Sequence, residues 1–292
     1  MGFRYSLAGD EFIFVEIEED MSLEAFFKAL EVTNKLKALK TKGIVDICPA
    51  NASYQVRYNP DLVNGKKLLE TLKDLEANLK LDSINLDTRV IEVPVFYNDP
   101  YTKEVVMRFR DRHQDPNLTD IEYTAKINGL KSVDELILKH STSPWIVTMV
   151  GFVAGLPWFY QMVDRKDQIE APKYLSPRTD TLQNTIGHAG CFAVTYSVRG
   201  GGGYQQLGIT PMFIYNPDLN ISYFNGALIF HKPGDIVKFK VIDDAEYKKI
   251  GEEIKKGEYK PNIKPLTFSY ESFQKDKAGY NKQVIDILEG RA

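Results

Sequence analysis

The stretch SPRTDTLQNTIGHAGCFAVTYSVRGGGGYQQLGITP, residues 176–211, decides how most of this chain is read. Inside it, CFAVTYSV (191–198) is a short apolar run that follows Gly190 and is separated from the glycine run 200–203 by Arg199. The same pattern recurs on both sides: WIVTMVGFV (145–153), PMFIYN (211–216), GALIF (226–230) and IVKFKVI (236–242) are separated by Gly, Pro and Asn clusters. Many short apolar runs with such punctuation predict a β-barrel or sandwich.

Upstream, RVIEVPVFY (89–97) opens this strand-rich region. A helical passage at 119–127 interrupts it, as does a capped helix from Ser132 to Lys139 with Glu135 at capping-box spacing. Downstream, residues 244–289 read as helix, loop and helix.

The N-terminal part reads differently. EFIFVEI (11–17) alternates as a strand, and from Ser22 the residues Leu23, Phe26, Phe27 and Leu30 have helical spacing. IVDICPA and SYQVRYNP follow as a strand pair. A second helix at 65–79 then carries the stripe Leu68, Leu69, Leu72, Leu75 and Leu79. Strand, helix, strand, strand, helix is the order of a small, ferredoxin-like split βαβ layer. The expected class is α+β, with one domain over 1–88 and a second over 89–292, in keeping with a chain of 292 residues.

A net charge of -3, from 37 basic and 40 acidic residues, gives no field suited to a phosphate backbone, so nucleic acid is excluded as a partner. Asp10 and Glu11 interrupt the N-terminus where a signal peptide is apolar, and no long apolar run occurs, so a cytoplasmic protein with no membrane partner is expected. Cys48 and Cys191 lack CxxC spacing and are expected to be buried small hydrophobes, with no metal site.

Several residues could carry chemistry. Gly200–Gly203 allow positive φ and exposed N–H groups that grip an oxyanion or carboxylate, or else form a flexible hairpin loop. His140, near a helix end, either caps carbonyls or acts in catalysis, and His188 has an ordinary pKa suited to proton transfer. Arg178 either holds a carboxylate bidentately or makes a solvated salt bridge. Trp145 and Trp158 read as core or interface anchors, and Gly234 and Asp235 as turn residues.

Taken in order, VPVFY (93–97), LKHS (138–141), GFVAGLP (151–157), APKYLSPR (171–178), TIGHAGCFAVTYSVRGGGGYQQLG (185–208) and PGDIVKF (233–239) resemble one family. It is the family of allophanate hydrolase subunit 1, the B-type subunit of 5-oxoprolinase and kinase-inhibitor proteins, which also forms half of the carboxyltransferase region of urea carboxylase. The resemblance covers about residues 10–245. It implies a cyclophilin-like β-barrel after the small α/β domain, paired with a homologous cyclophilin-like subunit of the allophanate hydrolase subunit 2 type. It further implies a carboxyltransferase subunit that acts on a urea-, amide- or ketone-like small molecule.

In that reading carboxybiotin arrives on a separate carrier protein, ATP is used by a biotin carboxylase partner, and nothing is bound covalently here. His140 or His188 would be the base, Arg178 and the backbone of Gly201, Gly202 and Gly203 would hold the carboxylate or oxyanion, and Tyr204 and Gln205 would orient the substrate. The alternatives are a subunit of an ATP-dependent 5-oxoprolinase and a non-enzymatic histidine-kinase inhibitor. The GGYQ step is similar to urea carboxylase, whereas Ala154, Leu156, Lys173 and His188 depart from the family pattern and imply a pocket reshaped for something other than urea.

Overall fold

The computed structural model describes residues 2–291. The chain divides into two units: one runs to Leu86 and takes in Thr267–Lys275, and the other comprises Asp87–Leu266 with the segment from Asp276 onward.

The first unit contains strands β1 (Arg4–Ala8) and β2 (Phe12–Glu16), helix α1 (Leu23–Ala38), strands β3 (Ile44–Pro49) and β4 (Ser53–Tyr58), and helix α2 (Gly65–Ala77). Its sheet has the order β1-β2-β4-β3, with every pairing antiparallel. Alternation builds the core: Ile13 and Val15 of β2 and Tyr54, Val56 and Tyr58 of β4 meet Ala25, Ala29, Val32 and Leu36 of α1 and Leu68 and Leu72 of α2. Each such large apolar side chain contributes about 1.5–3 kcal/mol on burial. Ser22 caps α1, accepting from the Ala25 N–H at 3.0 Å.

Strand β1 was not expected from sequence. Ser6, Leu7 and Ala8 are exposed, so this edge strand carries no buried alternation to read. Thr267–Lys275, placed by sequence in the second domain, joins the first unit instead, where Phe268 stacks on Phe27 at 4.9 Å. Cys48 corrects another expectation. A register shift at Ile44/Asp46 of β3 leaves Asp46 and Cys48 facing outward, and Cys48 is exposed with Sγ 3.1 Å from the Asp46 carboxylate. Cys191 is buried.

The remaining elements are β5 (Asn85–Tyr97), α3 (Pro100–Arg108), α4 (Asp120–Ile127), α5 (Val133–Thr142), β6 (Pro144–Val150), β7 (Pro157–Gln161), β8 (Arg178–Thr181), β9 (Thr185–Ala189), β10 (Phe192–Thr195), β11 (Gly200–Gly202), β12 (Gln205–Ile209), β13 (Ile236–Val241), α6 (Asp244–Lys255), β14 (Ile263–Ser269), α7 (Tyr270–Lys275) and α8 (Lys277–Leu288). The large sheet runs β12-β9-β10-β7-β6-β13-β5-β14, and β12 also pairs with β5, which closes seven of these strands into a ring. Alternate residues fill its interior, among them Val93 and Val95, Trp145 and Val147, Phe159, Ile186, Ala193, Leu207, and Val237 and Phe239.

Closure depends on Gly208. A Cβ there would lie 2.5 Å from the Phe96 carbonyl oxygen and 2.8 Å from Tyr97 Cα, so β12 could not approach β5 with any larger residue.

Three local readings need correction. PMFIYN and GALIF form no strand; they meet only at the bridge Tyr215–Ile229, because Asn225 and Gly226 take left-handed φ of 51° and 80° and turn the chain. The tail contains strand β14 between its helices. The expected Ser132 cap on α5 is present, accepting from the Glu135 N–H at 3.2 Å, but the reciprocal capping box lies on α4, between Thr119 and Glu122; on α5 the Glu135 carboxylate accepts from the Lys131 N–H at 2.6 Å instead of from the cap residue. Among the described residues no helix is long and apolar enough to cross a membrane.

Candidate functional site

The glycine run is ordered structure. Gly200 and Gly202 of β11 pair with Thr181 and Arg178 of β8, and β11 has no second neighbour in that two-stranded sheet. None of the four glycines takes a left-handed φ, contrary to the expectation from sequence. Their use is steric: a Cβ on Gly202 would fall 2.5 Å from Tyr196 Oη and 2.8 Å from Thr181 Oγ1.

A pocket of about 320 Å³ opens against this strand. Gly201, Gly202, Gly203 and Tyr204 form one wall, and Lys173, Tyr174 and Pro177 of the preceding loop form another. Phe152, Leu156, Trp158, Val194 and Tyr196 supply an apolar remainder. Phe152 is 85% exposed, in a left-handed conformation with φ 76°. Trp158 is half-buried and stands edge-on to Tyr204, with ring centroids 5.7 Å apart.

Behind the wall lies a buried polar cluster. Arg178 is almost wholly buried; its Nη2 donates to the Tyr204 carbonyl at 2.8 Å and its guanidinium stacks 4.3 Å from the Tyr174 ring centroid. Its Nη1 has no hydrogen-bond partner and faces the Asp120 carboxylate at 3.7 Å. Asp120 in turn accepts from Tyr174 Oη at 2.5 Å and from the Gln206 N–H at 2.7 Å, and faces His113 Nε2 at 3.7 Å. Burial pushes the Asp120 carboxyl above the usual carboxylate range, against the pull of Arg178, and burial beside Asp120 raises the Tyr174 phenol well above its ordinary value.

Gln205 belongs to this cluster and not to the pocket lining. Its Oε1 lies 2.8 Å from His113 Nε2 and its Nε2 donates to the Pro172 carbonyl at 2.9 Å, so it fastens the loop to β12. From the other side Arg112 donates to the Pro177 carbonyl at 2.6 Å. Both pocket walls therefore hang on one hydrogen-bonded core.

The two histidines singled out from sequence sit elsewhere, in the barrel interior. His140 Nδ1 lies 2.8 Å from Tyr97 Oη, and its ring packs on Trp145 and Phe239. His188 Nε2–H donates to the Ile169 carbonyl at 2.9 Å, and the two imidazoles are 6.1 Å apart. Neither lines the pocket. Burial lowers both pKa values, that of His140 well below the usual range and that of His188 to about 4, so both rings are neutral at neutral pH. Trp145 is fully buried and donates Nε1–H to the His140 carbonyl at 3.0 Å. Asp235 is buried in the PGD turn, where it accepts from the Lys232 N–H at 3.0 Å and pairs with Arg89 at 2.9 Å.

Asp120, His113, Tyr174 and Tyr196 were not picked out from sequence. Asp120 reads there as an ordinary acid in the first turn of a helix, and only the tertiary approach of Arg178 and Tyr174 makes it a hub. Among the described residues no group of acidic, His or Cys side chains could hold a metal ion.

Residues 3–223 match the family model described as carboxyltransferase domain, subdomain C and D, and the chain belongs to that family. It is 30% identical over 222 residues to the B-type subunit of 5-oxoprolinase from Bacillus subtilis, which covers 72% of this chain and 81% of that protein. It is 24% identical over 290 residues to the urea amidolyase of Lachancea kluyveri, which covers 98% of this chain and 16% of that protein. The chain thus spans about a sixth of the length of that curated relative. The crystal structure of the Kluyveromyces lactis urea amidolyase shares the fold, with a TM-score of 0.82 at 21% identity over 98% of this chain and 18% of that one.

Proposed function

We propose that this chain is a carboxyltransferase-type subunit of a multi-subunit biotin-dependent carboxylase, acting on a urea-, amide- or ketone-like small molecule. In this reading the first unit is the ferredoxin-like domain and the seven-strand ring is the cyclophilin-like barrel, whose site is completed by a homologous partner subunit. Biotin carboxylase and carrier proteins supply ATP-driven carboxybiotin. The observation that carries the reading is the pocket whose glycine wall is tied to a buried arginine. The share of this chain aligned supports it too: 98% for the urea amidolyase of Lachancea kluyveri against 72% for the oxoprolinase subunit.

Carboxybiotin, when bound, supplies the activated carboxyl group. Gly201, Gly202 and Gly203 present backbone without side chains along one pocket wall, and one edge of β11 is unpaired in its sheet, so the residues present fit a planar carbonyl group there. Arg178 fixes the Tyr204 carbonyl and with it the course of the wall; Tyr204 and Trp158 orient the bound group. Preorganised donors and dipoles of this kind stabilise a developing oxyanion without reorganising during the reaction. The neutral, buried imidazoles of His140 and His188 are assigned to holding the barrel interior.

The test is reconstitution with the homologous subunit, biotin carboxylase and biotinylated carrier. Substrate-dependent ATP hydrolysis that requires bicarbonate and is blocked by avidin is expected, together with a large loss in Arg178→Lys at unchanged circular dichroism. Avidin-insensitive turnover that needs no bicarbonate would overturn the proposal. The 81% coverage of a free-standing oxoprolinase subunit favours a second reading, an ATP-dependent lactam hydrolase, which that same avidin-insensitive result with 5-oxoproline would support.

A further inference from the structure

The pocket is too large and too apolar for urea alone. At about 320 Å³ it falls at the lower end of ligand pockets, about 300–1,000 Å³, and so has room for a body larger than urea. Urea is small and wholly polar, and against these walls most of its amide hydrogens would have no partner. Trp158, Tyr196 and Tyr204 instead present ring surfaces suited to a flat apolar body.

Charge selects the other end of the ligand. Lys173 is the charged residue of the lining, and no carboxylate lies among the lining residues. Its ammonium sits 5.6 Å from the centroid of the Tyr204 ring and makes no ion pair among the described residues. Aromatic walls can attract a cation, but here the Tyr204 face is already taken by Lys173, which would repel a second positive charge. An anion meets an unpaired cation and no opposing carboxylate.

We infer that this pocket takes a small carboxylate with a flat, apolar body about the size of one aromatic ring, with Lys173 as its counter-ion. The inference rests on reading the pocket as the substrate site. Lys173 and Gly202 set the specificity: the first selects the charge, and the second lets the lining residue Tyr196 pack against the glycine strand, where a Cβ would fall 2.5 Å from its Oη and push it out of place.

The test uses the purified full chain and its tryptophan fluorescence, since Trp158 lines the pocket. The probes are phenylacetate, benzylammonium, urea and biocytin. Saturable change with phenylacetate is expected, weakened about tenfold in Lys173→Met by loss of one charge-assisted contact, with little response to benzylammonium or urea. Gly202→Val should abolish the response; should that variant misfold, the surface substitution Lys173→Met still decides. Equal binding of benzylammonium, tighter binding of urea or biocytin, or no effect of Lys173→Met would overturn the inference. The binding measurement needs no ATP and no turnover, so phenylacetate binding without avidin-sensitive turnover in the reconstituted system would remove the carboxylase reading and leave the ligand class standing.

Discussion

His188 makes the barrel acid-sensitive by an amount that can be worked out. Burial lowers its pKa from 6.5 to about 4, with the Nε2–H bond to the Ile169 carbonyl acting in the opposite sense. A lowered value means that the unfolded chain takes up the proton first, so the contribution is complete above pH 6.5 and is lost as pH falls through the folded value. At about 1.36 kcal/mol per pH unit between the two values, the loss from pH 7 to 4.5 is about 2.5 kcal/mol. His188→Gln keeps a donor for the Ile169 carbonyl and removes the titrating group. Urea unfolding followed by tryptophan emission reports the right unit, because both tryptophans, Trp145 and Trp158, lie in it. The wild type should lose about 2.5 kcal/mol more than the variant between those two pH values. Removing His188 also lifts its repulsion of His140, which further flattens the variant's profile. Parallel profiles would refute the reasoning, whatever their offset at pH 7.

Asp120→Ala should cost about 3–5 kcal/mol in the same urea assay, since it leaves the Arg178 guanidinium buried without its facing carboxylate; a loss under about 1 kcal/mol would show that the cluster does not hold the wall. Gly202→Ala should lower stability by about 1–3 kcal/mol through overpacking against Tyr196 Oη, and adding Tyr196→Phe should restore part of the loss in thermal melts. Thr119→Ala removes one half of the α4 capping box and should cost about 1 kcal/mol, read by calorimetry.

Local pattern carried the sequence reading as far as neighbours along the chain decide structure. The stripe of α1, its start at Ser22 and the alternation in β2 and β4 are set by residues a few positions apart, and all are found in the structure. PMFIYN and GALIF fail because an apolar run does not make a strand when the chain turns at Asn225 and Gly226. β1 and β14 went unread because half-exposed edge strands have little alternation to show. At the site the limit is sharper. The glycines were visible, but composition suggested flexibility, whereas what they provide is space against Tyr196, a side chain that reaches them only across the folded sheet. His188 attracts attention through an ordinary pKa that burial removes, and His140 through its place near a helix end. Arg178 reads in the sequence as a carboxylate holder or a solvated loop cation, because its partners, Asp120, Tyr174 and the Tyr204 carbonyl, come together only in the folded unit. A charge so placed is costly unless every partner is present. The residues that hold the pocket are therefore the ones whose importance is set by distant contacts, and a substitution at Asp120, which is not itself a lining residue but holds the lining residue Tyr174 through its Oη, should disturb it more than one at the exposed Phe152 on its rim.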